Sequence, residues 1–150
     1  LSGAWAAPVA IDELNTDDDE FSGVLSADGL ELLFSRRDNQ AGVTAVLRAQ
    51  RTTPSEPWQV VETLDFGVES ATDAIWLSPD TLMVAVRTAA GNTDLVVARR
   101  EGASFVVIDT LDALNSDANE TDPWLSASGD ELLFTSGRTG TQRIYRALLD

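Results

Sequence analysis

Among its 150 residues the sequence has no cysteine, no histidine and no lysine. Without cysteine there is neither a disulfide framework nor a thiolate metal site. Without histidine the commonest general base and the commonest metal ligand are missing. A Ser–His–Asp or Cys–His mechanism cannot be assembled from this chain. Positive charge is scarce: ten basic residues, all arginine, stand against 25 acids, for a formal net charge of −15. A field of that sign repels phosphate backbones and anionic membrane surfaces, so nucleic acid is not an expected partner. No apolar run approaches the roughly 18–20 residues of a membrane span, so no membrane insertion is expected. No stretch of helical length shows a 3.6-residue apolar period.

What the sequence does have is a repeat. Residues 14–34, LNTDDDEFSGVLSADGLELLF, match residues 114–134, LNSDANETDPWLSASGDELLF, without a gap, and 12 of the 21 positions are identical. The register continues upstream, where Trp5 falls on Phe105, Ile11 on Leu111 and Asp12 on Asp112. A weaker copy, DAIWLSPDTLMVAV, lies between them at 73–86. Aligning its Trp76-Leu77-Ser78 with Trp124-Leu125-Ser126 gives periods of 52 and then 48 residues. The hundred-residue offset is therefore two repeats with a degenerate one in the middle.

Each unit reads as short strands separated by turns. Unit one gives Val24–Ser26, Leu30–Ser35, Val43–Ala49 and Trp58–Leu64. Unit two gives Ala74–Leu77, Leu82–Val86, Asp94–Ala98 and Ser104–Ile108, and unit three gives Trp124–Ser126, Glu131–Thr135 and Arg143–Leu148. Runs such as LELLF and DLVVA are apolar on both faces, as suits strands covered on both sides. Four antiparallel strands every 40–50 residues is the pattern of a β-propeller blade.

The units also resemble the TolB-type, WD-like propeller repeats, with their P-x-L-S-P-D-G-x-x-L-x-F-x-S-x-R-x-G … D-I-Y pattern. Unit three carries Pro123, Leu125, Ser126, Gly129, Leu132, Phe134, Ser136, Arg138, Gly140, Ile144 and Tyr145. Unit one keeps Leu25, Ser26, Asp28, Gly29, Leu32 and Phe34, and unit two keeps Leu77, Ser78, Pro79, Asp80, Leu82 and Asp94. Unit three has Ser128 in place of the turn aspartate, and unit two has lost the glycine. The resemblance implies a non-enzymatic interaction module and a bacterial cell-envelope or periplasmic setting, with secretion as the alternative.

The expected fold is all-β: three four-stranded antiparallel blades per chain, half of a six-bladed propeller. Residues 1–14 read as the outer strand of a closing blade, because Trp5 aligns with the fourth strand of unit two. Residues 15–64 form blade 1, 65–114 blade 2, and 115–150 a blade 3 lacking its outer strand. Propellers have about four to eight blades, so three do not close a ring. A homodimer with exchanged N-terminal strands completes six blades; the rival is a ring completed within a longer polypeptide.

In such a meander the loops leading into each first strand share an end with the loops joining strands two and three. The first set is acidic, bringing Asp17, Asp18, Asp19, Glu20, Asp73, Glu120 and Asp122. The second carries Arg36, Arg37, Arg87, Arg138 and Arg143. A protein or peptide partner is expected on this face, around the axial tunnel, with Asp73, Asp122, Glu20, Glu120, Arg37 and Arg138 as candidate contacts. The competing reading of these charges is a solvated rim of weak ion pairs. No catalytic residue, cofactor site or metal site is assigned: TDDDE lacks the ligand spacing and closing glutamate of a calcium loop. The alternative function is a carboxylate-dependent glycoside hydrolase or a carbohydrate-binding propeller. It would need Asp73 and Asp122 to converge at about 5–9 Å, or Trp76 and Trp124 to stack sugars rather than fill the junctions between blades.

Overall fold

The computed structural model describes residues 4–149, and these contain eleven strands and no helix. Blade 1 comprises β1 (Asp19–Leu25), β2 (Glu31–Arg37), β3 (Thr44–Gln50) and β4 (Gln59–Thr63). Blade 2 comprises β5 (Ala71–Ser78), β6 (Thr81–Arg87), β7 (Thr93–Glu101) and β8 (Ser104–Asp109). Blade 3 comprises β9 (Glu120–Leu125), β10 (Glu131–Ser136) and β11 (Arg143–Leu148). Each sheet is an antiparallel meander in chain order.

The sheets stack face to face by one rule used twice. Strands β2 and β3 pack on β5, and β6 and β7 pack on β9; β1 meets β5, and β5 meets β9. First strands therefore gather along one line and fourth strands stand at the outer edges, as in propeller blades. At the first junction Leu33 and Val46 of blade 1 meet Leu82, Val84, Val96 and Ala98 of blade 2. At the second, Met83, Ala85 and Leu95 of blade 2 meet Leu132 and Phe134, with Tyr145 and Ala147 alongside. The double-sided apolar runs of the second strands are thus used on both faces.

Register shows how closely the repeats correspond. Leu32, Leu82 and Leu132 lie opposite Ala49, Ala98 and Ala147. The second strands therefore recur every 50 residues, because the turn from Ser78 to Thr81 is two residues shorter than those from Ser26 to Glu31 and from Ser126 to Glu131. A bulge between Trp76 and Ser78 then inserts one residue into β5 and shifts its pairing by one. Trp76 pairs with Leu82, as Leu125 pairs with Leu132, whereas Trp124 pairs with Leu133. The two tryptophans do not share a position: Trp76 packs against the junction of blades 1 and 2, while Trp124 is 55% exposed.

The turns after the first strands follow one chemistry. Ser26 Oγ donates to Asp28 and receives the Glu31 amide, and Gly29 supplies the positive φ of 72° that closes the turn. In blade 3 the carboxylate has moved along the chain, and Asp130 accepts from Ser126 and Ser128. In blade 2 Ser78 and Asp80 keep the bond across a shorter turn.

Residues 4–11 form no strand and pair with no sheet within the chain, and Trp5 is 88% exposed. A fourth strand packed on blade 3 is absent from the described residues.

Candidate functional site

All three first strands break register at the same level, between Phe21 and Val24 in β1, between Thr72 and Ile75 in β5, and between Thr121 and Trp124 in β9. At each break the first bulged residue is left-handed: Ser22 at φ 55°, Asp73 at 55° and Asp122 at 52°. This conformation is uncommon for any residue with a side chain. Bulges of this kind re-aim side chains, and here they bring three polar groups into one row along the line of first strands. Ser22 Oγ donates to Asp73 Oδ1 at 2.5 Å. Ser35 Oγ of β2 receives the Asp73 amide at 3.1 Å and the Thr72 hydroxyl at 3.2 Å, tying blade 1 to the blade 2 bulge.

Asp73 is buried and Asp122 is exposed beside it. Burial pushes the Asp73 carboxyl up; the Ser22 hydrogen bond opposes this, and the neighbouring Asp122 charge adds to it. A cavity of about 370 Å³ opens here, with Asp73 and Asp122 on its floor and Phe21, Thr72, Arg37 and Arg87 among its walls. Neither Arg37 nor Arg87 makes an ion pair among the described residues. The site therefore presents an anionic centre with free guanidinium groups at one side.

Three other expected residues lie elsewhere and are engaged within their own blades. Glu20 Oε1 accepts from Thr16 Oγ1 at 2.7 Å and from Arg36 Nε at 2.7 Å, and Oε2 receives the Thr16 amide. Burial raises the Glu20 carboxyl, but the Thr16 and Arg36 bonds outweigh it and hold it below the ordinary range. Glu120, fully buried, takes the Ser116 amide and the hydroxyls of Ser116 and Ser136. Arg138 donates to Ser136 Oγ at 2.8 Å and to the Leu114 carbonyl, and covers the rings of Phe134 and Tyr145. Arg36 plays that part in blade 1, donating to the Leu14 carbonyl at 2.8 Å and covering Phe34. These groups hold the leading loops. Blade 2 dispenses with the device: Ala71 pairs with Val86 where the other blades pair Glu20 with Arg36 and Glu120 with Ser136. An apolar pair of that kind avoids the desolvation of charge.

Ser22 carries no sequence motif, and its role follows from the bulge. Arg87 stands on the face the sequence predicts, and its freedom from ion pairs among the described residues is a property of the fold. At the opposite end of the first strands a second cavity of about 740 Å³ is lined by apolar groups including Val24, Leu25, Ile75, Trp76, Pro123 and Trp124.

No family model matches the chain, and no curated protein matches it. Among solved structures it is similar to one described as "putative TolB from Agrobacterium tumefaciens", with 16% identity and a TM-score of 0.49. The match covers 89% of this chain and 59% of that one, so the chain spans about three-fifths of its length. The three meander sheets and their two equivalent junctions themselves define the architecture as β-propeller blades.

Proposed function

We propose that this chain is a non-enzymatic interaction module that binds a peptide segment of a partner protein at the Asp73–Asp122 cavity. The observation that carries this reading is the shared left-handed bulge, which brings Asp73, held by Ser22, and Asp122 to one cavity with Arg37 and Arg87. Two carboxylates at the centre favour a cationic group, a lysine or arginine side chain or an amino terminus. Arg37 and Arg87 at the wall favour an acidic residue beside it. The resemblance of the repeats to TolB-type blades supports a bacterial envelope setting for that partner.

The test is titration calorimetry with short peptides carrying a basic residue next to an acidic one, against charge-scrambled and all-acidic controls. Binding of the first set, weakened about tenfold or more by Asp122→Asn, is expected; tenfold corresponds to about 1.4 kcal/mol. Arg37→Gln should weaken only peptides with the acidic neighbour. Equal binding of all peptides, or none, would reject the reading.

A further inference from the structure

The molecule contains a template for an interface it does not make within one chain. At the start of each fourth strand an aromatic residue is buried: Trp58 at 8% exposure just before β4 and Phe105 at 3% just inside β8. Each lies under an arginine at the end of the adjacent third strand, Arg51 just past β3 over Trp58 at 4.3 Å and Arg100 of β7 over Phe105 at 4.5 Å. Trp5 is the same residue of the repeat, a hundred positions before Phe105, and it is 88% exposed.

The leading loop shows the same contrast. Asn115 clasps the third strand of the preceding blade with both ends of its amide. Its Oδ1 receives the Leu95 amide at 2.9 Å, and its Nδ2 donates to the Leu95 carbonyl at 2.9 Å. Asn15 is its equivalent and is exposed, with no side-chain partner among the described residues. The strand position that would receive it is also open. Val46, Leu95 and Ile144 are equivalent in register; the first two are 1% and 0% exposed, and Ile144 is 77% exposed.

The sheet faces agree with this. Blade 3 turns outward Leu133, Thr135 and Ile144, the equivalents of Met83, Ala85 and Leu95 that cover blade 3 itself. On blade 1, Phe34, Leu47 and Ala49 are the equivalents of Phe134, Tyr145 and Ala147; Leu14 packs with them as Leu114 does in blade 3, and they are buried. One face is the donor side and the other the acceptor side of a junction already built twice in the chain.

We propose that two copies of this chain associate through these faces, blade 3 of each against blade 1 of the other, in a closed pair. In each junction Asn15 clasps the backbone at the partner's Ile144. Residues 5–11 add to the free edge of the partner's β11 as its fourth strand. The register is fixed by the repeat: Ala49 faces Val60 and Ala98 faces Val107, so Ala147 faces residue 7 of the other copy, and Trp5 lies opposite Leu149. The occupant is a second copy because this chain carries both the exposed Trp5 and Asn15 and the open β11 edge with Ile144 that they fit. The pair also sets two Ser22–Asp73–Asp122 rows around one axis.

Light scattering of the purified chain at tens of micromolar tests this, with an expected mass twice 16.1 kDa. Ile144→Asp should give a folded monomer with an unchanged circular dichroism spectrum, because Ile144 is exposed within one chain. Asn15→Ala should raise the dimer dissociation constant about tenfold or more. The chain lacks cysteine, so an A7C/A147C variant should form disulfide-linked dimers on mild oxidation, whereas either single variant should not. A monomeric wild-type chain, a dimer indifferent to Ile144→Asp, an open-ended series of larger assemblies, or a disulfide formed within one chain would each overturn the proposal.

Discussion

Asp73 meets two opposing demands. Its backbone must adopt the left-handed bulge, which aspartate tolerates better than most residues, and its carboxylate must then sit buried beside a second acid. Because burial raises its pKa above the ordinary 3.8, the folded state holds its proton more tightly than the unfolded state. Its contribution to stability is therefore present at acid pH and lost as pH rises through the raised folded value. Asp73→Asn removes that loss and keeps an acceptor for Ser22. Its melting temperature at neutral pH should rise by about 2–4 °C, the shift expected for about 1 kcal/mol in a domain of this size. Below pH 3.8 variant and parent should melt alike, and a variant less stable at neutral pH would contradict this account. The same substitution should weaken basic peptides, so stability and binding move in opposite directions.

At the scale of strands, the outer half of the first junction is held by a charged bridge. Glu62 at the edge of blade 1 receives both guanidinium nitrogens of Arg100 in β7, at 2.8 and 2.9 Å, and Arg48 at 3.3 Å. The Arg100 bonds foremost hold the Glu62 carboxyl below its ordinary 4.5, against its burial. This stabilisation is present above pH 4.5 and is lost as pH falls through the lowered folded value. Glu62→Gln should cost about 1 kcal/mol at neutral pH after allowance for solvent screening, read by urea denaturation. That cost should vanish in strong acid. The three-blade architecture was legible because the strand-and-turn unit recurs along the chain, with second strands apolar on both faces. The one-residue bulge in β5 was not, because Trp-Leu-Ser matches equally well at the wrong register. Glu20 and Glu120 read as rim charges, yet both copies keep a hydroxyl residue four positions earlier, Thr16 and Ser116. That pairing was the available sign of a loop-holding role. The row formed by Ser22, Asp73 and Asp122 depends on backbone conformation, which no local motif announced.

For the whole molecule, the two junctions make the chain a short repeat array, in which each sheet gains stability from its neighbours. Blade 2 alone is covered on both faces, and β6 is the most enclosed of its strands, with five consecutive buried residues from Leu82 to Val86. It is also paired within its sheet on both sides, by β5 and β7. Opening β6 to solvent thus requires both junctions and both sheet pairings to come apart, which amounts to global unfolding. In hydrogen exchange its amides should be the slowest in the protein, with protection matching the full unfolding free energy. Amides of β1 and β11 should exchange through cheaper openings at the two ends of the stack. The middle repeat, which has drifted furthest from the shared sequence, is therefore the part of the chain that lasts longest in the folded state.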